Sequence, residues 1–139
     1  MNIEVLMRWG ASSRLLLFIL TTVPMLNTYA ACWRVNGLGG VSTKQWLNYK
    51  PEPDRISGRE IELVFDGDNS TTSDSSDMSC FQLSTFKLLC LYSSGGKGTA
   101  ETWSIDPHAM KVFYTKSMSG YGEYDGASLF IGDLAGRCD

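Results

Sequence analysis

Hydrophobic and polar residues alternate most regularly between Phe86 and Lys116, and a sheet can be read outward from that stretch. Glu101, Trp103 and Ile105 fall on one face, with Ala100, Thr102 and Ser104 on the other, the period of two that a half-buried strand requires. Asp106-Pro107-His108-Ala109 follows, joining an Asx-type acceptor to a proline whose fixed φ suits the first corner of a type I turn. The chain returns as Lys111 to Lys116, rich in β-branched and aromatic residues. Upstream, the mostly apolar run Phe86 to Tyr92 stops at Ser93-Ser94-Gly95-Gly96-Lys97-Gly98, where glycine accepts positive φ cheaply. The pattern predicts a three-stranded meander.

Further strands are expected over Arg59 to Phe65, where Ile61, Leu63 and Phe65 alternate with polar positions, and over Cys80 to Ser84 and Ala127 to Ile131. Gly37, Gly39 and Gly40 are expected to interrupt regular structure, and Ser42 or Thr43 could cap a short helix running to Asn48. The fold class is therefore mainly β: a single small antiparallel sheet or barrel-like domain of about six strands, with room for one short helix. Its expected core is Trp103, Ile105, Phe113, Phe86, Leu88, Leu63 and Phe65.

The first thirty residues do not fit that domain. Arg8 and Arg14 precede the apolar run Leu15 to Leu20, and Asn27-Thr28-Tyr29-Ala30 supplies small residues at Thr28 and Ala30. Together these read as a signal peptide over 1–30, with translation starting at Met1 or Met7. The apolar run is short for a membrane span, so the mature chain, 31–139, is expected to be exported to the periplasm or cell exterior without one. Tyr29-Ala30-Ala31-Cys32 superficially resembles a lipoprotein box, but Tyr29 stands where a branched aliphatic residue belongs, which favours the soluble form. A chain of this length supports one domain.

All four cysteines, Cys32, Cys80, Cys90 and Cys138, lie beyond the leader. An even number in an exported domain reads as two disulfides, with three possible connectivities. Cys80 with Cys90 and Cys32 with Cys138 is the favoured pairing, the one stapling neighbouring strands and the other the domain ends. Zinc is disfavoured by the absence of C-x-x-C spacing and by a single histidine. The formal net charge of −3, with no basic run, argues against nucleic acid.

Asp66 to Asp77 contains no apolar residue and is expected to be a flexible acidic loop. Its spacing partly imitates a calcium loop, which makes Asp66, Asp68, Asp74 and Asp77 candidate Ca2+ ligands, although Thr71 and Asp77 replace the usual glycine and glutamate. No other cofactor is indicated. Asn69-Ser70-Thr71 is a glycosylation sequon.

Catalytic patterns are lacking. There is no G-x-S-x-G or H-E-x-x-H, and His108 falls at a hairpin tip where nothing would hold it. Glu101 and Glu62 could face each other across strands, yet glutamate on a strand usually serves solubility. The loop after the meander is more suggestive: Ser119, Gly120, Tyr121 and Tyr124 combine hydroxyls, backbone freedom and rigid amphipathic rings, a composition suited to adaptable recognition.

The Ser119-Gly120 … Tyr124 … Phe130 … Gly132 spacing, with the exported size and the cysteine near the C-terminus, loosely resembles the small bacterial periplasmic inhibitors of c-type lysozyme. That resemblance covers about the last third of the chain. It implies a small antiparallel β-barrel that inserts a serine-bearing loop into the lysozyme cleft, and so a lysozyme as the protein partner. The residue before the matching glycine is basic in that family and Ile131 here. The resulting expectation is an exported non-enzymatic binding or inhibitory module. The alternatives are an envelope-stress or structural β protein without a dedicated ligand, or a calcium-dependent binding domain.

Overall fold

The computed structural model describes residues 30–138. The expected leader and its cleavage site thus lie almost wholly outside the described residues. Among the described residues nine strands form one sheet: β1 (Ala31–Lys44), β2 (Glu52–Arg55), β3 (Ile61–Phe65), β4 (Thr71–Thr72), β5 (Ser79–Ser84), β6 (Lys87–Ser94), β7 (Lys97–Asp106), β8 (Lys111–Ser119) and β9 (Gly126–Arg137). Their order is β4-β3-β1-β9-β8-β7-β6-β5, with β2 also paired to β1, and every pairing is antiparallel. A lone bridge between Ser70 and Cys80 brings the two ends of this order together. The sheet is therefore a nearly closed barrel, which removes most of the exposed strand edge.

The six expected strands are all present, most of them longer than the sequence suggested, and β1, β2 and β4 are additional. No α-helix occurs among the described residues: the stretch from Ser42 to Asn48 continues β1 to Lys44 and then makes a 3-10 turn over Gln45–Leu47. The glycines expected to break the chain instead let β1 run beside β9. Gly37 (φ 64) sits in an irregular step of the register between Asn36 and Gly39. A Cβ on Gly40 would strike the Leu129 carbonyl, and one on Gly126 would strike the Thr43 carbonyl. These glycines permit close backbone approach in a sheet.

Alternation decides what fills the barrel. β7 turns Thr99, Glu101, Trp103 and Ile105 inward, and β8 turns Val112 and Tyr114 inward, all at most 8 % exposed. Trp103 packs against Tyr114 with centroids 4.0 Å apart, and Tyr114 stacks on Phe130 at 5.8 Å. Val35, Leu38, Ile61, Leu63, Phe65, Leu88 and Leu134 complete the apolar layer, each fully buried aliphatic side chain contributing about 1.5–3 kcal/mol. Two expected core residues are misplaced. Phe113 lies between inward Val112 and Tyr114 and so points out, 41 % exposed, while Phe86 occupies the β5–β6 turn at 43 %. Asp106 Oδ1 accepts the His108 and Ala109 amides at 3.0 Å each, forming the expected Asx turn between β7 and β8.

Both disulfides join the favoured pairs. Cys32–Cys138 ties the start of β1 to the end of β9 across 106 residues, and Cys80–Cys90 links directly opposed positions of β5 and β6. In the chain-entropy account these contribute about 5 and about 3 kcal/mol.

The segment 66–77, expected to be solvated and outside the core, is built into the barrel. Gly67–Asn69 makes a 3-10 turn, Ser70 and Thr72 are buried, and Ser70 Oγ accepts the Asp66 amide at 2.9 Å while donating to the Gly67 carbonyl at 2.7 Å. Hydroxyl side chains that satisfy local backbone groups can be buried without an apolar residue in the run.

Candidate functional site

One end of the barrel gathers the β6–β7 turn, the turn after β1 and the loop between β8 and β9. The last of these is held by a side-chain clamp. Asp125 accepts the Gly120 amide at 3.1 Å and the Tyr121 amide at 2.6 Å, and its own amide donates to the Gly122 carbonyl at 2.9 Å. Gly120 (φ 82) lies so close to the Gly96 carbonyl that a Cβ would collide with it. Tyr121 Oη is 2.8 Å from Thr99 Oγ1, and Lys97 Nζ stands 5.4 Å above its ring. The sequence Gly-Tyr-Gly-Glu-Tyr-Asp thereby folds into a braced turn, with Gly122–Tyr124 forming a 3-10 segment.

Of the four loop residues singled out in the sequence, Tyr121 is half-buried and acts as a brace, whereas Ser119, Gly120 and Tyr124 are exposed. The Gln45 amide donates to the Asp125 carbonyl at 2.9 Å and packs the turn after β1 against this loop. That contact brings Trp46 and Tyr49, 59 % and 57 % exposed, to the same end as Tyr124 at 56 %. The short helix expected to Asn48 gave no reason to single out Trp46 and Tyr49; only the pairing of β1 with β9 and the Gln45–Asp125 bond place them at the same end of the barrel as Tyr124.

Beneath the loop, the barrel interior turns from apolar to ionic. Glu101 is completely buried; its Oε2 accepts a 2.9 Å hydrogen bond from Ser75 Oγ, and Oε1 forms an ion pair with Lys116 Nζ at 3.0 Å. Glu101 and Lys116 are cross-strand neighbours on β7 and β8, the geometry in which opposite charges pair. Asp74, whose side chain is 10 % exposed, is held by Arg59. Burial, and then the negative charge and hydrogen bonding of Glu101, push the Tyr114 phenol far above its ordinary range. Glu101 is therefore not the exposed partner of Glu62 considered from the sequence: Glu62 is exposed on β3, opposite Arg34 in the backbone register of β1 and β3.

A cavity of about 360 Å³ opens above this layer, lined by carboxylates, lysines, hydroxyls, Tyr92, Tyr121, Met78 and Met118. A second, of about 230 Å³, adjoins it across Asp74, Lys116 and Met118. A further hollow of about 550 Å³ lies between the irregular step of β1 and the β2–β3 loop and holds no comparable set of buried polar groups.

Asp66, Asp68, Asp74 and Asp77 are not assembled into a cage. Among the described residues the one trio within metal-binding reach is Cys32, Glu62 and Cys138, and both its sulfurs are spent in the disulfide. His108 is exposed in the β7–β8 turn, at the opposite end from the braced loop.

Fold and site together define a small, disulfide-tied antiparallel β-barrel with a braced aromatic loop over an ionic mouth. No family model, no characterised protein and no solved structure matches the chain.

Proposed function

We propose that the protein is an exported, non-enzymatic binding module that engages a protein partner through the braced end of its barrel. The observation that carries this reading is the exposure of Trp46, Tyr49 and Tyr124 on turns fixed by the Asp125 clamp. Large rings held in place lose little freedom on binding, and aromatic anchors carry most of the energy in protein interfaces. Two disulfides suit an oxidising location outside the cytoplasm, in keeping with the leader read from the sequence.

The resemblance in the last third of the chain makes a c-type lysozyme the first partner to test, with Ser119 presented at the exposed end of β8. Purified protein is titrated into lysozyme while cell-wall lysis is followed. Inhibition at micromolar protein is expected, weakened about tenfold or more by Tyr124→Ala or Trp46→Ala and reduced by Ser119→Ala. Lysis unaffected at that concentration would remove lysozyme as the partner, and unaltered inhibition by all three variants would place the interface elsewhere.

A further inference from the structure

We propose that the cavity at the barrel mouth is a binding site for a neutral, polyhydroxylated ligand with an apolar face, of which a pyranose sugar is the representative chemistry. The first support is a buried carboxylate at the cavity wall. Glu101 is fully buried and lines the cavity, with Ser75 Oγ donating to Oε2 and Lys116 Nζ 3.0 Å from Oε1. A carboxylate has about four lone-pair sites, so a donor arriving from the cavity can join these partners.

The charges around that carboxylate select the donor. Lys116 Nζ is already 3.0 Å from Oε1, so a ligand ammonium or guanidinium binding there would stand beside a like charge in a partly desolvated site. An anion would meet Asp74, Asp77 and Glu101. These three carboxylates are balanced by Lys97 and Lys116 in the lining and by Arg59 on Asp74, which leaves no net charge to attract an ion of either sign. A hydroxyl group can donate to Glu101 while accepting from Lys116 or Lys97, and Ser75, Ser76 and Thr99 extend the same mixed lining.

The walls set the rest. Tyr92, Tyr121, Met78 and Met118 also face the cavity. Aromatic and methionine surfaces suit the C–H face of a sugar ring, while charged and hydroxyl groups meet its edge. A volume of about 360 Å³ falls at the small end of ligand pockets, enough for a sugar of one or two rings. This site lies below the loop surface assigned to the protein partner and does not depend on that assignment.

The test uses the purified protein with glucose, N-acetylglucosamine and its β-1,4 dimer as probes, and arginine hydrochloride and sodium phosphate as charged counterparts. Backbone amide NMR shifts are the readout, because sugars as cosolutes raise melting temperatures without occupying a site. At least one sugar is expected to give saturable shifts centred on Ser75, Thr99, Glu101 and Tyr121. Glu101→Gln and, at the rim, Tyr92→Ala should each weaken that binding about tenfold or more. Tyr92→Ala keeps the test valid if Glu101→Gln fails to fold. The proposal is overturned if no sugar gives saturable shifts, if arginine or phosphate moves the same amides at lower concentration, or if every folded variant binds like the parent.

Discussion

Lys116→Met tests how the buried carboxylate is tolerated. Glu101 has no exposed surface, Lys116 retains about a third of its own, and the charged atoms are 3.0 Å apart. At an effective dielectric of about 20 their gross attraction is roughly 5–6 kcal/mol. Desolvation of Lys116 offsets part of this, and water from the adjoining cavity would reach Glu101 once the ammonium is gone. Breaking a buried pair by removing one partner costs about 3–5 kcal/mol, and the wet cavity places this case at the low end, about 3 kcal/mol. Methionine keeps most of the packing stem, so the loss reports the charge. Adding Glu101→Gln to Lys116→Met removes the unpaired charge and should return about 2 kcal/mol, leaving a deficit near that of one lost hydrogen bond. Urea unfolding followed by tryptophan fluorescence, with unchanged m values, measures both. A Lys116→Met variant within about 0.5 kcal/mol of the parent, or a double variant no more stable than the single, would refute the reasoning.

Backbone crowding and the buried phenol give two further outcomes. Gly126→Ala should cost several kcal/mol, because its Cβ would run into the Thr43 carbonyl, whereas Gly39→Ala, with nothing within 4 Å of the added carbon, should change denaturant stability by less than about 1 kcal/mol; equal effects would remove the close-approach account of β1 and β9. Tyr114 has a raised phenol pKa, so its contribution is present below the unfolded value near 10.0 and is lost as pH rises above it. Phenolate absorbance should show one tyrosine ionising only on unfolding, and Tyr114→Phe should flatten the alkaline fall in stability; an unchanged alkaline slope in that variant would contradict the assignment.

The meander of β6, β7 and β8 was legible because each strand's contacts are with its neighbour in sequence, and the period of two is visible in the residues themselves. It even placed Glu101 on the face of Trp103 and Ile105, although the burial of a glutamate there was not drawn. Phe113 shows the limit: a bulky apolar residue suggests the core, but the alternation of Val112 and Tyr114 overrides hydrophobicity. The favoured cysteine pairing likewise followed from strand neighbours and chain ends.

Local pattern and cysteine count were enough for the β class, the hairpin with its Asx turn and the presence of two disulfides. Tertiary structure alone decided that β1 crosses its glycines to pair with β9, that the acidic run closes the barrel, and that Trp46 and Tyr49 join Tyr124. It also decided that Lys116 and Ser75 converge on Glu101. The physical reason is range: local alternation and turn chemistry depend on residues a few positions apart. Close backbone approach, charge pairing and the filling of a barrel mouth depend on partners far apart along the chain, such as Thr43 and Ala127, 84 positions from each other, whose meeting no local pattern announces.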